Sequence, residues 1–319
     1  MTTDDRGVDQ ARRLLGGLGI PGLADAPGIA LTRLGGTTNL VFHVDHGQNH
    51  YVLRIPGKGT AEYINRAHEA RAARETARVQ VSPEVLLFDT TTGVMVTRYV
   101  DGAVTMTPAA FRTRSGAPAR AGAVLRKLHT SGAVFHFRFE LFAMIDEYLK
   151  VLAGKEMRLP SGYQDVVAEA GAVRAALGAN ALPVAACHCD PLCENFLDTG
   201  ERMWLVDWEY SGMNDPLWDL GDLSVEGGFT AAQDEEMMRA YFGGEARPAE
   251  RGRVVIYKAM CDLLWTLWGL IQHANRNPVD DFWNYSLNRF ERCKRLMAAP
   301  EFKRHLENVR TGGAPQPVR

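Results

Sequence analysis

The sequence predicts an α+β fold in two unequal parts: a small N-terminal antiparallel β lobe with one helix, and a larger, mainly helical C-terminal lobe. Three observations predict it. Short runs of β-branched and aromatic residues crowd the segment before residue 101, as strands require. The turn-prone stretches "DHGQN" and "TTTG" separate those runs by only a few residues, the spacing of hairpins. Helix formers take over after about residue 103. On this reading residues 1–103 form one unit ending in a hinge and 104–319 form the second, and 319 residues suffice for two such units.

Taken in order, Val8, Leu14, Leu15 and Leu18 among polar neighbours predict a short amphipathic helix over 7–19, ended by Pro21. "ALTRLGGTTNLVFHV" and "NHYVLRI" follow as a hairpin with a glycine-containing loop. The Ala, Arg and Glu content of 60–78 predicts a helix, with Thr60 as its cap. "EVLLFD" and "GVMVTRYV" are two further strands. Beyond the hinge, helices are expected over 108–131, 140–153, 163–178, 230–242, 249–275 and 279–298. A strand pair, "NFLDTG" and "RMWLVDW", falls between the third and fourth. The terminal "TGGAPQPVR" reads as disordered.

The 36 basic and 38 acidic residues nearly cancel, so no overall charge steers the chain to nucleic acid or to an anionic membrane. A small partner is expected instead. The first thirty residues carry Asp4, Asp5, Arg6, Arg12 and Arg13 without the apolar run of a signal sequence. The longest apolar stretch, from Met260 to Ile271, is interrupted by Asp262 and is shorter than a bilayer span. A soluble cytoplasmic protein is therefore expected. Five cysteines, odd in number and partly clustered, predict reduced thiols rather than a disulfide framework.

"CHCDPLCENFL", from Cys187 to Leu197, is the densest chemical feature. Zinc is poorly served here: ligands at adjacent positions point to different sides of the chain, and no second Cys/His pair stands at the usual spacing. A thiol nucleophile needs a partner histidine and an orienting group, which the sequence leaves open. A third reading keeps the oxygens. Asp190, an amide at Asn195, and Asp207 after a short strand pair form a pattern able to hold a hydroxyl beside a magnesium-bound phosphate. The cysteines are then small packing residues.

"HCDPLCEN" followed by "VDWEY" resembles the paired motifs of the choline/ethanolamine kinases and their aminoglycoside phosphotransferase relatives, small-molecule kinases on a protein-kinase-like fold. "GGTTN" resembles the nucleotide loop of that family, "YVLRIPGKGT" its basic strand and "HEARAAR" its acidic helix. The resemblance implies ATP and magnesium as cofactors. It implies that Gly35, Gly36, Thr37 and Thr38 approach the phosphates through backbone N–H groups, with Asn39 bracing the loop. Arg54 would grip the α and β phosphates and Glu69 would orient it. Asp190 would accept the substrate hydroxyl proton, and Asn195 and Asp207 would bind magnesium. Glu209 has two readings, a metal or substrate contact and a plain salt bridge. His188 and Asp219 would brace the catalytic loop. Thr97 and Tyr99 fall where hinge backbone would meet adenine.

For the acceptor, Trp265 and Trp268 lie three residues apart on one helix face. A pair so spaced is ordinarily core, yet "WTLWGLIQ" resembles the choline kinase segment whose tryptophans wall a quaternary ammonium pocket. Tyr285 matches a further aromatic of that pocket and Glu226 an acidic residue. Such a cation has no N–H to donate, so aromatic faces and a carboxylate must select it. The expected function is transfer of the ATP γ-phosphate to choline or a related amino alcohol such as ethanolamine. The alternatives are an aminoglycoside or other natural-product phosphotransferase, and a catalytically silent amine- or nucleotide-binding module.

Overall fold

The computed structural model describes residues 3–20, 28–35, 39–57, 59–60 and 64–312. Gly36, Thr37, Thr38 and most of the C-terminal stretch lie outside the described residues.

The N-terminal region is a five-stranded antiparallel sheet with a helix on it. Strands β1 (Ala30–Gly35), β2 (Leu40–His46), β3 (Asn49–Ile55), β4 (Val85–Phe88) and β5 (Met95–Arg98) lie in the order β1-β2-β3-β5-β4. The β2–β3 register runs from Leu40 opposite Ile55 to His46 opposite Asn49, so Gly47, at a φ of 66° that favours glycine, closes the hairpin. Period-two alternation turns Phe42 and Val44 of β2 and Tyr51, Leu53 and Ile55 of β3 inward. Helix α1 (Thr3–Gly17) covers them with Ala11 and Leu15.

Helix α2 (Arg66–Arg78) starts six residues later than its composition suggests. Its cap is Asn65, whose side chain accepts from the N–H groups of Ala67 and His68. Thr60 instead accepts a 2.5 Å hydrogen bond from the Arg66 guanidinium.

The remaining described chain is mainly helical. After β6 (Val104–Thr105), the stretch expected as one helix over 108–131 is two, α3 (Pro108–Thr113) and α4 (Ala117–His129). The break is at Gly116, whose φ of 72° no continuous helix contains. Helices α5 (Leu141–Ala153) and α6 (Tyr163–Ala179) lead to a β insert: β7 (Ala185–Cys187), β8 (Phe196–Asp198), β9 (Met203–Leu205) and β10 (Gly212–Asn214). Strands β6, β8 and β9 form one sheet, and β7 pairs with β10. Then come α7 (Leu217–Gly227), α8 (Ala231–Phe242), α9 (Pro248–Ala274), α10 (Phe282–Ala298) and α11 (Pro300–Thr311). Neither α7 nor α11 was expected. Helix α7 is buried nearly all round, so it carries no amphipathic period to read.

Helix α9 has 27 residues and is long and apolar enough to cross a membrane by length and composition, more than its central apolar stretch alone suggests. Of its apolar window, 72% is buried inside the protein, where Ile256, Met260, Leu263, Leu264 and Leu267 form the centre of the larger hydrophobic core. That core crosses residue 103, since Ala70, Ala73, Val81 and Phe88 belong to it.

Candidate active site

The motif "HCDPLCEN" forms the connection between β7 and β8, ending in a 3-10 turn at Cys193–Asn195. Its shape is set by Asp219 at the start of α7. The two carboxylate oxygens accept from the N–H of His188 at 2.7 Å and of Cys189 at 2.9 Å, and one also meets His129 Nε2 at 3.0 Å. The Trp218 indole donates to the Cys189 carbonyl at 3.1 Å. These bonds hold Cys189 at a φ of 66°, a left-handed conformation unusual for a residue with a Cβ. Asp190 is thereby presented at the bend. Its carbonyl accepts from the Asn195 side-chain amide at 3.0 Å, leaving the amide oxygen of Asn195 to face elsewhere.

Asp207 follows β9 and has a φ of 69°. The two segments are tied together, as the Val206 N–H donates to Asn195 at 3.0 Å and Val206 accepts from His188 Nε2 at 2.9 Å. His188 is fully buried and its burial favours the neutral ring, so it braces the loop. Burial, with Asp207 and Glu226 nearby, raises the Asp190 carboxyl to about 7. Burial and the Glu209 carboxylate raise Asp207 to about 6, with Arg54 acting in the opposite direction. Asp207 Oδ1 is buried with no hydrogen-bond partner.

Facing Asp207 from the N-terminal region is a charged network. Arg54 on β3 pairs with Glu69 on α2, both almost fully buried, and lies 3.7 Å from Asp207 and from Glu209. Arg66, one turn before Glu69, binds Glu69 at 2.7 Å and Glu209 at 2.8 Å. Asn39 donates to Glu209 at 3.2 Å and accepts from the Gly57 N–H at 3.2 Å, which pins the chain just before β2. Gly35 itself ends β1 at a φ of 124°. Glu209 is ion-paired with Arg66 and Arg54, and its carboxylate also lies with those of Asp207 and Glu69 in a group close enough to share a metal ion. Tyr99 donates its N–H to the His50 carbonyl at 3.1 Å, so that donor is already engaged; Thr97 pairs with Val52 and Val85 inside the sheet.

An aromatic group gathers between α9 and α10. The rings of Trp265 and Trp268 on α9 meet edge to face at 5.9 Å, and Trp268 meets Tyr285 at 5.8 Å and Phe282 at 5.4 Å, both on α10. The two tryptophans are half-buried, and Trp265 packs against the large core. Arg289, one turn after Tyr285, stacks 4.8 Å over that ring and binds Glu226 at 2.6 Å. Arg66, Arg289 and Phe282 were not anticipated. The i,i+3 spacing of Arg66 to Glu69 and the i,i+4 spacing of Tyr285 to Arg289 were the signals available.

The cysteines of the motif are packing residues. Cys187, Cys189 and Cys193 are all buried, and burial raises their thiols, that of Cys193 to about 12, far from a reactive thiolate. His129, Cys187 and Asp219 lie close together, but Asp219 already accepts hydrogen bonds from His129 and the motif backbone.

Residues 30–253 match the phosphotransferase enzyme family. The chain is 70% identical to a choline/ethanolamine kinase family protein from Mesorhizobium loti, covering 96% of this chain and all of that one with a TM-score of 0.90. It is 26% identical to the choline kinase LicA from Streptococcus pneumoniae, with 92% and 99% of the two chains covered and a TM-score of 0.73. A structure of LicA in complex with AMP matches at 26% identity over 91% of this chain and 97% of that one, with a TM-score of 0.69. The family match over residues 30–253 and the 70% identity over nearly the whole length make the chain a member of the phosphotransferase enzyme family and of its choline/ethanolamine kinase branch.

Proposed function

We propose that this protein transfers the γ-phosphate of ATP to the hydroxyl of choline or a closely related amino alcohol. One observation carries the choice of acceptor. Asp190 feels charges from two groups, Asp207 and Glu209 of the Arg54 cluster and Glu226 and Arg289, and Arg289 lies over Tyr285 of a group of four aromatic rings. A cationic head held on aromatic faces, with contacts of about 0.5–2 kcal/mol each, would set its hydroxyl toward Asp190. An aminoglycoside, with several ammonium groups, would need more unpaired carboxylates than this side of the site offers.

Asp190 then accepts a hydrogen bond from the hydroxyl, aims the oxygen at phosphorus and takes the proton late in a loose transition state. Arg54, held by Glu69, carries its charge to the phosphates, and Gly35, which has no Cβ, leaves room for backbone N–H contact. The donors fit magnesium: Asn195 and Asp207 offer hard oxygens, and the buried Oδ1 of Asp207 lacks any hydrogen-bond partner. Magnesium bound there would neutralise charge on the phosphates. Roles for Gly36, Thr37 and Thr38 rest on the sequence.

The test is kcat/KM for ATP-dependent ADP formation with choline, ethanolamine and an aminoglycoside. Choline or ethanolamine turned over at least a hundredfold better than the aminoglycoside supports the proposal; the reverse order, or no acceptor dependence, overturns it.

A further inference from the structure

Asp222 lies on α7 one turn before Glu226, is 0% exposed, and has one carboxyl oxygen, Oδ2, with no hydrogen-bond partner. Its other oxygen accepts from the Cys261 thiol at 3.1 Å. Cys261 stands one turn before Trp265 on α9, so Asp222 lies beneath the aromatic group rather than in the remote core. The groups that act on it most strongly through charge are all acidic: Glu226 and Asp219 on its own helix and Asp190 on the motif loop. Arg289 of α10, which acts on the neighbouring Cys261, is committed to Glu226 at 2.6 Å and to Asp262 at 3.4 Å. Asp262 is also held by Arg292 at 2.5 Å. The thiols around it are neutral, because burial raises Cys261 and, beside Glu226, Cys193.

A buried carboxylate with no cation and three acidic neighbours is held as the neutral acid. A cation entering the aromatic group reverses that balance, since it brings an opposite charge to a place where Arg289 has left Asp222 unserved. We propose that Asp222 is a specificity-determining residue of the acceptor site, a neutral carboxylic acid in the free protein that ionises when a cationic acceptor binds. The Asp222 O–H bond breaks, the electron pair stays on the carboxylate, and the proton passes to solvent buffer. A neutral alcohol of the same size draws out no proton and binds more weakly. The direction agrees with the strong rise that burial imposes on this carboxyl.

The inference rests on the proposed amino alcohol acceptor, and the two fail in different ways. Calorimetric titration of the full chain with choline, without nucleotide, is run in buffers of unequal ionisation enthalpy. The expected result is release of up to one proton per choline bound, abolished in Asp222→Asn and retained in Asp190→Asn, whose own carboxyl near 7 is the competing source. Heats independent of buffer, or release that survives Asp222→Asn, overturn the inference while leaving choline as acceptor. Absence of binding by both choline and ethanolamine overturns both. Should Asp222→Asn not fold, the wild-type protein with isotope-labelled aspartate decides by infrared spectroscopy. Loss of a protonated-carboxyl band on adding choline, in Asp190→Asn as well, supports Asp222, and an unchanged spectrum rejects it.

Discussion

Asp190 and Asp207 are held above the ordinary carboxyl range of 3.8, at about 7 and about 6, by burial first and then by carboxylate neighbours, Asp207 and Glu226 for the former and Glu209 for the latter. If Asp190 acts as the base, it must be ionised, so kcat/KM for the acceptor rises with pH up to about 7 and levels above it. A rate profile that is flat from pH 5 to 8 would contradict this role, those limits being about two units below and one above the group. Stability moves the other way. Between 3.8 and about 7 the folded state holds a proton that the unfolded chain has lost, so stability falls as pH rises through that window. Asp190→Asn removes the charged form. It should melt higher than wild type at pH 8, by on the order of 2 kcal/mol given partial exposure, and equally near pH 4. The sequence exposed these residues because their motif is contiguous. It did not expose Arg66, Arg289 or Asp222, whose partners lie 143, 63 and 39 positions away.

Helix α7 joins the motif loop to the acceptor side, with Asp219 at one end and Glu226 at the other. Its seating against α9 depends on Gly221, where an added Cβ would lie 2.6 Å from Tyr257 Cβ and 2.9 Å from the Val254 carbonyl oxygen. Gly221→Ala should destabilise by about 1–3 kcal/mol and lower kcat, since Asp219 would shift with the helix. Chemical denaturation and steady-state rates check both. A milder change, Asn65→Ala, should cost about 1 kcal/mol through the lost cap of α2. These elements show why legibility varied along the chain. Strands β1 to β5, β8 and β9 and most helices with one apolar face were readable, α2 starting six residues late, whereas the short strands β6, β7 and β10 and the amphipathic α11 were missed. Helix α7, buried all round and interrupted by Gly221 and Asp222, carried no periodic signal, and the α3–α4 break needed the backbone turn at Gly116.

At the scale of the whole molecule, the site draws on segments from residue 35 to residue 289, so its assembly depends on ties between distant regions. The buried Arg54–Glu69 pair is one such tie, joined by Arg66 to Glu209. Glu69→Gln leaves two buried guanidiniums short of a carboxylate and should destabilise by about 3–5 kcal/mol, with a raised KM for ATP. Thermal melts and nucleotide titrations read these separately. Trp265→Ala should instead raise the KM for choline about tenfold or more, with the KM for ATP unchanged. The α+β architecture and the family resemblance were visible in the sequence, because each motif lies within one short stretch. Which acidic groups remain unpaired was not visible, since that depends on α7, α9 and α10 meeting in space. The most direct test of the account is phosphorus NMR of the wild-type protein and Asp190→Asn with ATP, magnesium and choline. The account predicts ADP and phosphocholine in equal amounts from wild type, and a rate lowered about a hundredfold or more in the variant. ATP consumed with no phosphorylated choline, or an undiminished rate in Asp190→Asn, would contradict it.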